Sequence, residues 1–193
     1  MGWSLRGADS RRGSTAVKFA ETMLPGAFVI DIEPIEDERG FFARTFCRRE
    51  FEARGLNPDL AQSSISFNRR KGTLRGMHYG VPPDEEAKIV RCTAGAVYDV
   101  IADLRRESST YGKWVGVDLS ADNRRMLYIP KGCAHGFQTF EDNCEIFYQI
   151  SVEYNPASFR GVRYDAPVLA IKWPLPVTVI SERDRALPLP LPV

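Results

Sequence analysis

The sequence predicts an all-β sandwich or barrel. From residue 60 to residue 154, short segments of alternating apolar and polar residues follow one another, separated by glycine and proline. Many short strands spaced about 8–12 residues apart are typical of sandwiches and barrels. Helices do not alternate with these strands, and no GxGxxG or P-loop sequence occurs, so a doubly wound nucleotide-binding sheet is not expected.

The composition fits one globular domain. The chain has 193 residues, of which 44% are hydrophobic and 26% are charged, and its formal net charge is +1. These values are ordinary for a soluble protein. There is no long basic run and no apolar run that could span a bilayer, so neither nucleic acid nor a membrane is expected as a partner. No two of the four cysteines lie two residues apart, which favours reduced thiols in the cytoplasm over disulfides or a zinc knuckle.

The two ends of the chain lack a strand pattern. Residues 1–16 have no hydrophobic period, and we expect a disordered extension, or a start codon assigned too early, before a single domain over residues 17–193. The extension contains arginines but no apolar central region, so it is not a secretory signal. Residues 186–193 alternate proline with leucine and predict an extended tail on the surface or on a partner subunit.

The segments in between predict the elements in order. Residues 24–35 and 41–47 predict two strands, and residues 48–54 predict one short helix with Phe51 facing the core. From Leu60 onward the pattern predicts strands only, joined by turns and loops rich in glycine, proline and charged residues. These strands cover residues 61–67, 73–80, 88–95, 96–104, 113–120, 125–130, 134–140 and 144–154.

Two histidines are the first candidates for chemistry. His78 lies on a predicted strand three residues after Arg75, and His135 follows Pro130 and Gly132 where a strand begins. A lone histidine is usually structural, and a metal site with two histidines and one carboxylate stays formally possible, although no His-x-His occurs. By default Asp184 would be a surface acid, Tyr148 a cross-strand aromatic and Lys88 a strand-edge cation. Periodicity alone therefore predicts only an all-β sandwich with two candidate functional histidines.

Several motifs follow one another along the chain, namely DERGFF (37–42), GTLRGMHY (72–79), Lys88, GAVYDVIADLR (95–105), IPKGCAHGF (129–137), FYQISVEYNP (147–156), IKWP (171–174) and SERD (181–184). This ordered series resembles the dTDP-4-dehydrorhamnose 3,5-epimerase family over residues 18–190. The resemblance implies a double-stranded β-helix, that is, a cupin-type jelly roll with a few short helices. It further implies a homodimer, an active site inside the barrel, a nucleotide-sugar substrate, and no metal or other cofactor.

The resemblance implies three catalytic residues. His78 matches the family's base, Asp184 the carboxylate that orients it, and Tyr148 the acid on the other face of the sugar. The chemistry suits these residue types, because imidazole titrates near neutral pH and a buried aspartate fixes its tautomer. Inversion needs the new proton to arrive from the opposite face, which requires a second group. Lys88, with His135 nearby, matches the position that stabilises the enolate oxygen.

The resemblance also implies nucleotide-binding residues and shows several departures. The matching binding positions are Arg39, Phe42, Gln62, Arg75, Tyr154 and Arg183, the last replacing a family lysine. The departures are Arg44 and Phe159 in place of glutamates, Gly80 in place of glutamine, Ser64 in place of asparagine, and a turn one residue longer before residue 73. They concern the choice of nucleotide and sugar. Three alternatives stay open: inversion at C3 alone or with another nucleotide such as CDP, a non-catalytic sugar-nucleotide-binding cupin, and a metal-dependent cupin enzyme.

Overall fold

A computed structural model describes residues 16–189 of the chain. The extension predicted over residues 1–16 lies outside the described residues except for Ala16, and so do residues 190–193 of the predicted tail. No helix in the described part is long and apolar enough to cross a membrane.

The described residues form two large antiparallel sheets and one small hairpin. The six-stranded sheet has the order β1-β2-β10-β7-β12-β5, the five-stranded sheet has the order β13-β6-β11-β8-β9, and β3 pairs with β4. The strands are β1 (Val17–Glu21), β2 (Phe28–Ile32), β3 (Ile35–Asp37), β4 (Gly40–Phe42), β5 (Gln62–Asn68), β6 (Leu74–Gly80), β7 (Lys88–Ala94), β8 (Ala96–Asp103), β9 (Trp114–Ser120), β10 (Met126–Ile129), β11 (Cys133–Thr139), β12 (Cys144–Ile150) and β13 (Phe159–Gly161). The helices are α1 (Arg48–Glu52), α2 (Glu182–Arg185) and a 3-10 turn at Pro156–Ser158.

The main core lies between the two sheets. Leu127 and Ile146 project from the six-stranded sheet and meet Ile101 and Phe137 from the five-stranded sheet, and all four are at most 1% exposed. Alternate residues of a strand point to opposite faces of its sheet, so each strand contributes every second side chain to this layer. Each such side chain contributes about 1.5–3 kcal/mol to folding.

Further layers cover the outer faces of both sheets. Phe51 of α1 is fully buried on the six-stranded sheet, with ring centroids 5.1 Å from Phe19 and 5.9 Å from Tyr128. The predicted helix and its buried face are thereby confirmed. On the other side, Val162 and Leu169 of the C-terminal segment pack against the five-stranded sheet. The central strand β11 is therefore buried along its whole length.

Three predicted strands are longer than the observed ones, although the strands predicted after residue 60 are found as β5 to β12. The strand predicted over residues 24–35 begins only at Phe28 and ends at Ile32; it begins late because the amide of Thr22 donates to the carbonyl of Ala27 and closes a turn at Gly26. The strand predicted over residues 41–47 ends at Phe42, which pairs with Ile35, the first residue of β3. The strand predicted over residues 144–154 ends at Ile150. Neither β13 nor α2 was predicted, since three or four residues are too few to show a period.

Candidate active site

A cavity of about 480 Å³ lies between the two sheets and gathers most of the predicted site residues. The five-stranded sheet contributes side chains of β6 and β11, and the six-stranded sheet contributes those of β5, β7 and β12. The lining consists of Gln62, Ser64, Arg75, His78, Glu86, Lys88, His135, Phe137, Tyr148, Ile150, Tyr154 and Phe159.

Two glycines bring the strands with the histidines close together. Gly76 of β6 has a φ of 125°, and a Cβ on it would lie 2.6 Å from the Cα of Gly136 in β11. Only glycine tolerates both this φ and this approach. The pairing register then sets His78 directly opposite His135. The glycines beside both histidines in the sequence are thus the reason that the two rings share one cavity.

His78 is held by a buried carboxylate from the C-terminal region. Its Nε2 is 2.7 Å from Oδ1 of Asp184, while Oδ2 of Asp184 accepts a hydrogen bond from the amide of Gly76 at 3.2 Å. Ser181 caps α2 by accepting the amide of Asp184 at 3.0 Å, which fixes that residue at 4% exposure. Burial raises the pKa of Asp184, but the His78 contact, the Gly76 amide and the Arg183 charge outweigh it, so the pKa lies below the ordinary value.

His135 has a second buried carboxylate, which the sequence analysis did not identify. Its Nε2 is 2.9 Å from both carboxylate oxygens of Asp99, a fully buried residue of β8. The available signal was a charged residue at an inward-facing position of an otherwise apolar strand, between Val97 and Ile101. A buried carboxylate needs such a partner, since burial without one is costly. The site therefore contains two His–Asp pairs, and both histidines lie on the five-stranded sheet.

Tyr148 faces the histidines from the opposite sheet. Its ring centroid lies 6.0 Å from that of His135, with the planes at 75°. Burial is the largest cause of a strongly raised pKa for Tyr148, and the negative charge of Asp99 raises the pKa further, whereas Arg75 and a hydrogen bond with Ser66 lower it. At neutral pH the side chain is therefore a neutral phenol that can donate a proton.

The cations of the cavity differ in how their charges are compensated. Lys88 Nζ lies 2.6 Å from Oε1 of Glu86, a residue that the sequence analysis did not single out. Arg75 donates from Nε to the amide oxygen of Asn68 at 2.8 Å, so the partner in this bond is uncharged. Among residues 16–189 no carboxylate forms an ion pair with Arg75, so its guanidinium at the cavity is suited to an anionic ligand.

Phe159 joins the remaining predicted binding residues at the rim. Its ring lies 5.3 Å from that of His78 and 5.7 Å from that of Tyr154, and the guanidinium carbon of Arg183 stands 5.1 Å from its centroid. The side chain of Gln62 accepts a hydrogen bond from the amide of Tyr154 at 3.1 Å. Aromatic faces and a cation at one rim form a surface that suits a nucleotide.

Two predicted binding residues lie outside this cavity. Arg39 and Phe42 are on the β3–β4 hairpin, where Arg39 pairs with Asp37 and Phe42 is 68% exposed. Arg44, one of the departures, also lies elsewhere and bonds Glu50 at 2.9 Å. A single chain therefore brings together the predicted catalytic residues but not the whole predicted nucleotide site.

All four cysteines are free, and burial raises the pKa of Cys92 and of Cys133 to about 12. Within residues 16–189 no group of three or more His, Cys, Asp and Glu side chains is arranged to hold a metal ion.

Two antiparallel sheets that enclose such a cavity define the class as a cupin-type jelly roll, which confirms the fold expected from the resemblance. The family model described as dTDP-4-dehydrorhamnose 3,5-epimerase matches residues 21–190. The chain belongs to this family.

Individual relatives are similar to this chain in sequence and structure over most of its length. A dTDP-4-dehydrorhamnose 3,5-epimerase from Methanothermobacter thermautotrophicus is 41% identical over 171 residues, which are 87% of this chain and 91% of the relative. The crystal structure of the Elizabethkingia anophelis enzyme superposes with a TM-score of 0.87 at 36% identity, covering 89% of this chain and 95% of that one. The crystal structure of the Bacillus anthracis enzyme with TDP and PPi bound superposes with a TM-score of 0.86 at 37% identity, covering 90% of this chain and 99% of that one.

Proposed function

We propose that this protein is a 3,5-epimerase that converts dTDP-4-dehydro-6-deoxy-D-glucose into dTDP-4-dehydro-L-rhamnose. One observation carries the proposal: His78 and Tyr148 enter the same cavity from opposite sheets. A sugar ring lying between the sheets would have a base on one face and an acid on the other. Inversion of a carbon centre requires this arrangement, because a single group would return the proton to the face from which it came.

The first step is removal of a proton from a carbon next to the C4 ketone. The carbon–hydrogen bond breaks, and its electron pair forms a double bond to C4. The π electron pair of the ketone moves onto its oxygen, which gives an enolate. His78 takes the proton, and Asp184 stabilises the imidazolium at 2.7 Å. The lowered pKa of Asp184 favours this role, because the carboxylate stays ionised.

The second step delivers a proton to the opposite face. Tyr148 gives its phenolic proton to the carbanion carbon and the ketone re-forms. The imidazolium of His78 then releases its proton to solvent, and solvent reprotonates the phenolate of Tyr148. Lys88 and His135 line the same cavity and would stabilise the enolate oxygen. Loss of one such donor typically costs about two to three orders of magnitude in rate. Each step is a proton transfer between side chains and sugar.

Arg75 and the aromatic rim supply the nucleotide-binding part of the proposal. The guanidinium of Arg75 has no charged partner in its bond to Asn68 and suits the diphosphate. Gln62, Tyr154 and Arg183 would hold the rest of the nucleotide near Phe159. The Bacillus anthracis relative binds TDP, which supports a thymidine nucleotide.

A homodimer, acting in the cytoplasm, completes the proposal. Ile65 and Phe67 of the edge strand β5 are 63% and 50% exposed on its outer face, while Gln62 and Ser64 of β5 line the cavity. An apolar outer face of this kind indicates a covered surface. The hairpin residues Arg39 and Phe42 would then reach the cavity of the partner subunit, which explains why they miss their own.

The test is proton NMR in deuterated water with dTDP-4-dehydro-6-deoxy-D-glucose, run with and without added divalent metal. We expect deuterium to enter at C3 and at C5 without added metal. Exchange at C3 alone would identify a 3-epimerase. If the folded protein causes no exchange with the dTDP-sugar but does so with a CDP-linked sugar, the nucleotide of the proposed substrate is wrong. If neither sugar shows exchange, the protein is a non-catalytic sugar-nucleotide-binding cupin.

A further inference from the structure

Glu86 lies in the cavity but has no part in the proposal so far. It belongs to the connection between β6 and β7, two residues before Lys88, so in extended chain both side chains point the same way. The Oε1 atom of Glu86 is 2.6 Å from Nζ of Lys88, and their side chains are 11% and 8% exposed. The pair is thus almost entirely removed from solvent.

The backbone that carries this pair is firmly anchored. Ala87, which separates the two residues, donates its amide to Oγ of Ser151 at 2.8 Å and accepts the amide of Ser151 at 3.0 Å. Earlier in the same connection, Oδ2 of Asp84 accepts the hydroxyl of Ser158 at 2.6 Å. The position of Glu86 is therefore determined by contacts on both sides.

Gly80 makes room for this connection. A Cβ at residue 80 would lie 2.6 Å from the carbonyl oxygen of Asp84 and 3.4 Å from the amide nitrogen of Glu86. A glutamine there, as the family resemblance leads one to expect, would displace the segment that carries Glu86. The departure at residue 80 is thereby tied to the presence of a carboxylate beside Lys88.

Charge attraction is what compensates the buried carboxylate oxygen. Among the described residues, Oε1 of Glu86 receives no hydrogen bond of good geometry. Its compensation is the ammonium of Lys88, since a buried charge without a partner is strongly unfavourable. In return, the carboxylate restricts the long lysine side chain to one direction.

We propose that Glu86 is a positioning residue, which holds the ammonium of Lys88 in the cavity at the place where the ketone oxygen of the sugar will lie. The inference rests on the proposed function for its catalytic meaning. The contact itself can be tested without turnover.

The first test treats the folded protein with an amine-acylating reagent. The rate at which Lys88 is modified is then measured by mass spectrometry. The reagent must reach the amine, and the contact with the Glu86 carboxylate holds that amine inside the cavity. In Glu86→Gln this contact is broken, so we expect Lys88 to react at least about threefold faster, while exposed Lys131 serves as an internal control. Glu85→Gln, which removes the same charge one residue away, should leave Lys88 unchanged. Glu86→Asp should keep Lys88 protected and gives a second variant if the first folds poorly.

The second test measures kcat and KM by the NMR assay. Glu86→Gln should lower kcat about 10- to 100-fold with KM within about threefold of wild type, and Glu85→Gln should not. In a Lys88→Met background, Glu86→Gln should cause no further loss, since the group it positions is gone. Equal Lys88 reactivity in wild type and Glu86→Gln, or full additivity with Lys88→Met, would overturn the proposal. An inactive wild type with the expected reactivity difference would instead refute the proposed function alone.

Discussion

Asp99 and Asp184 illustrate how much the role of one residue depends on what surrounds it. In the sequence Asp184 belongs to a charged segment, SERD, and would be taken for a surface acid. In the structure it is 4% exposed and binds His78, and Asp99 is fully buried against His135. In both histidines Nε2 contacts a carboxylate, so Nδ1 is the ring nitrogen that stays available for a ligand in the cavity.

Tyr148→Phe should separate proton exchange from inversion. Without the phenol, His78 can still remove a proton and return a deuteron to the same face. We expect net inversion to fall about 10²- to 10⁴-fold, with measurable exchange retained, as followed by proton NMR in deuterated water. Tyr98→Phe removes a phenol from the outer face of the five-stranded sheet and serves as the control. Inversion by Tyr148→Phe at the wild-type rate would exclude Tyr148 as the acid.

Among the elements, β8 shows how a strand can supply both the site and the support of a loop. Asp99 points toward His135, and Asp103, four residues later on the same face, is buried at the strand end. It accepts hydrogen bonds from Arg105, Ser108 and Thr110, which hold the connection to β9. Burial raises the pKa of Asp103, but these hydrogen bonds lower it to about 2.

Asp103 should make stability depend on pH in the acid range. Because its pKa is lowered in the folded state, its contribution is complete above about pH 4 and is lost as pH falls toward 2. The lost free energy of unfolding is about 2 kcal/mol. Asp103→Asn should therefore be less stable than wild type at pH 7, with a smaller difference at pH 2, in denaturant titrations. Asp122→Asn, at an exposed turn, is the control, and a pH-independent difference would contradict this account.

At the scale of the whole molecule, the hairpin β3–β4 is the feature that one chain leaves unexplained. It exposes Phe41 and Phe42, and it holds two residues that the resemblance assigns to the nucleotide site. The outer side of β5 exposes Ile65 and Phe67 as well. Apolar patches of this kind are typical of subunit contacts.

Phe42→Ser should weaken nucleotide binding without destroying the fold, if the hairpin serves a partner's cavity. Sedimentation of wild type is expected at twice the chain mass of 21.7 kDa. By calorimetry, dTDP should bind Phe42→Ser at least about tenfold more weakly, because an aromatic contact of about 1–3 kcal/mol is lost. Val168→Ser, an exposed apolar residue beyond the other sheet, is the control. A wild-type monomer that binds dTDP fully would refute the shared site.

Local hydrophobic patterns predict secondary structure correctly where they repeat over several residues. The alternation after residue 60 predicts β5 to β12, and the helix with Phe51 inward is found as α1. Shorter elements such as β13 and α2 carry no period and escaped prediction. Glu86 escaped as well, because nothing in its immediate sequence marks it as a buried acid. Asp99 is marked as an inward-facing acid of an apolar strand, but its sequence does not tell which residue it will face.

By itself, the sequence determined the all-β class, most strand positions and, through its ordered motifs, the family, and it marked His78, Tyr148 and Asp184 as candidates for one site. Only the tertiary structure decided which groups pair, namely Asp99 with His135 and Glu86 with Lys88. It also decided that Arg39 and Phe42 stay outside their own chain's cavity. The physical reason is that periodicity reports the local direction of a side chain, whereas pairing depends on strands that are distant in sequence and adjacent in the sheets.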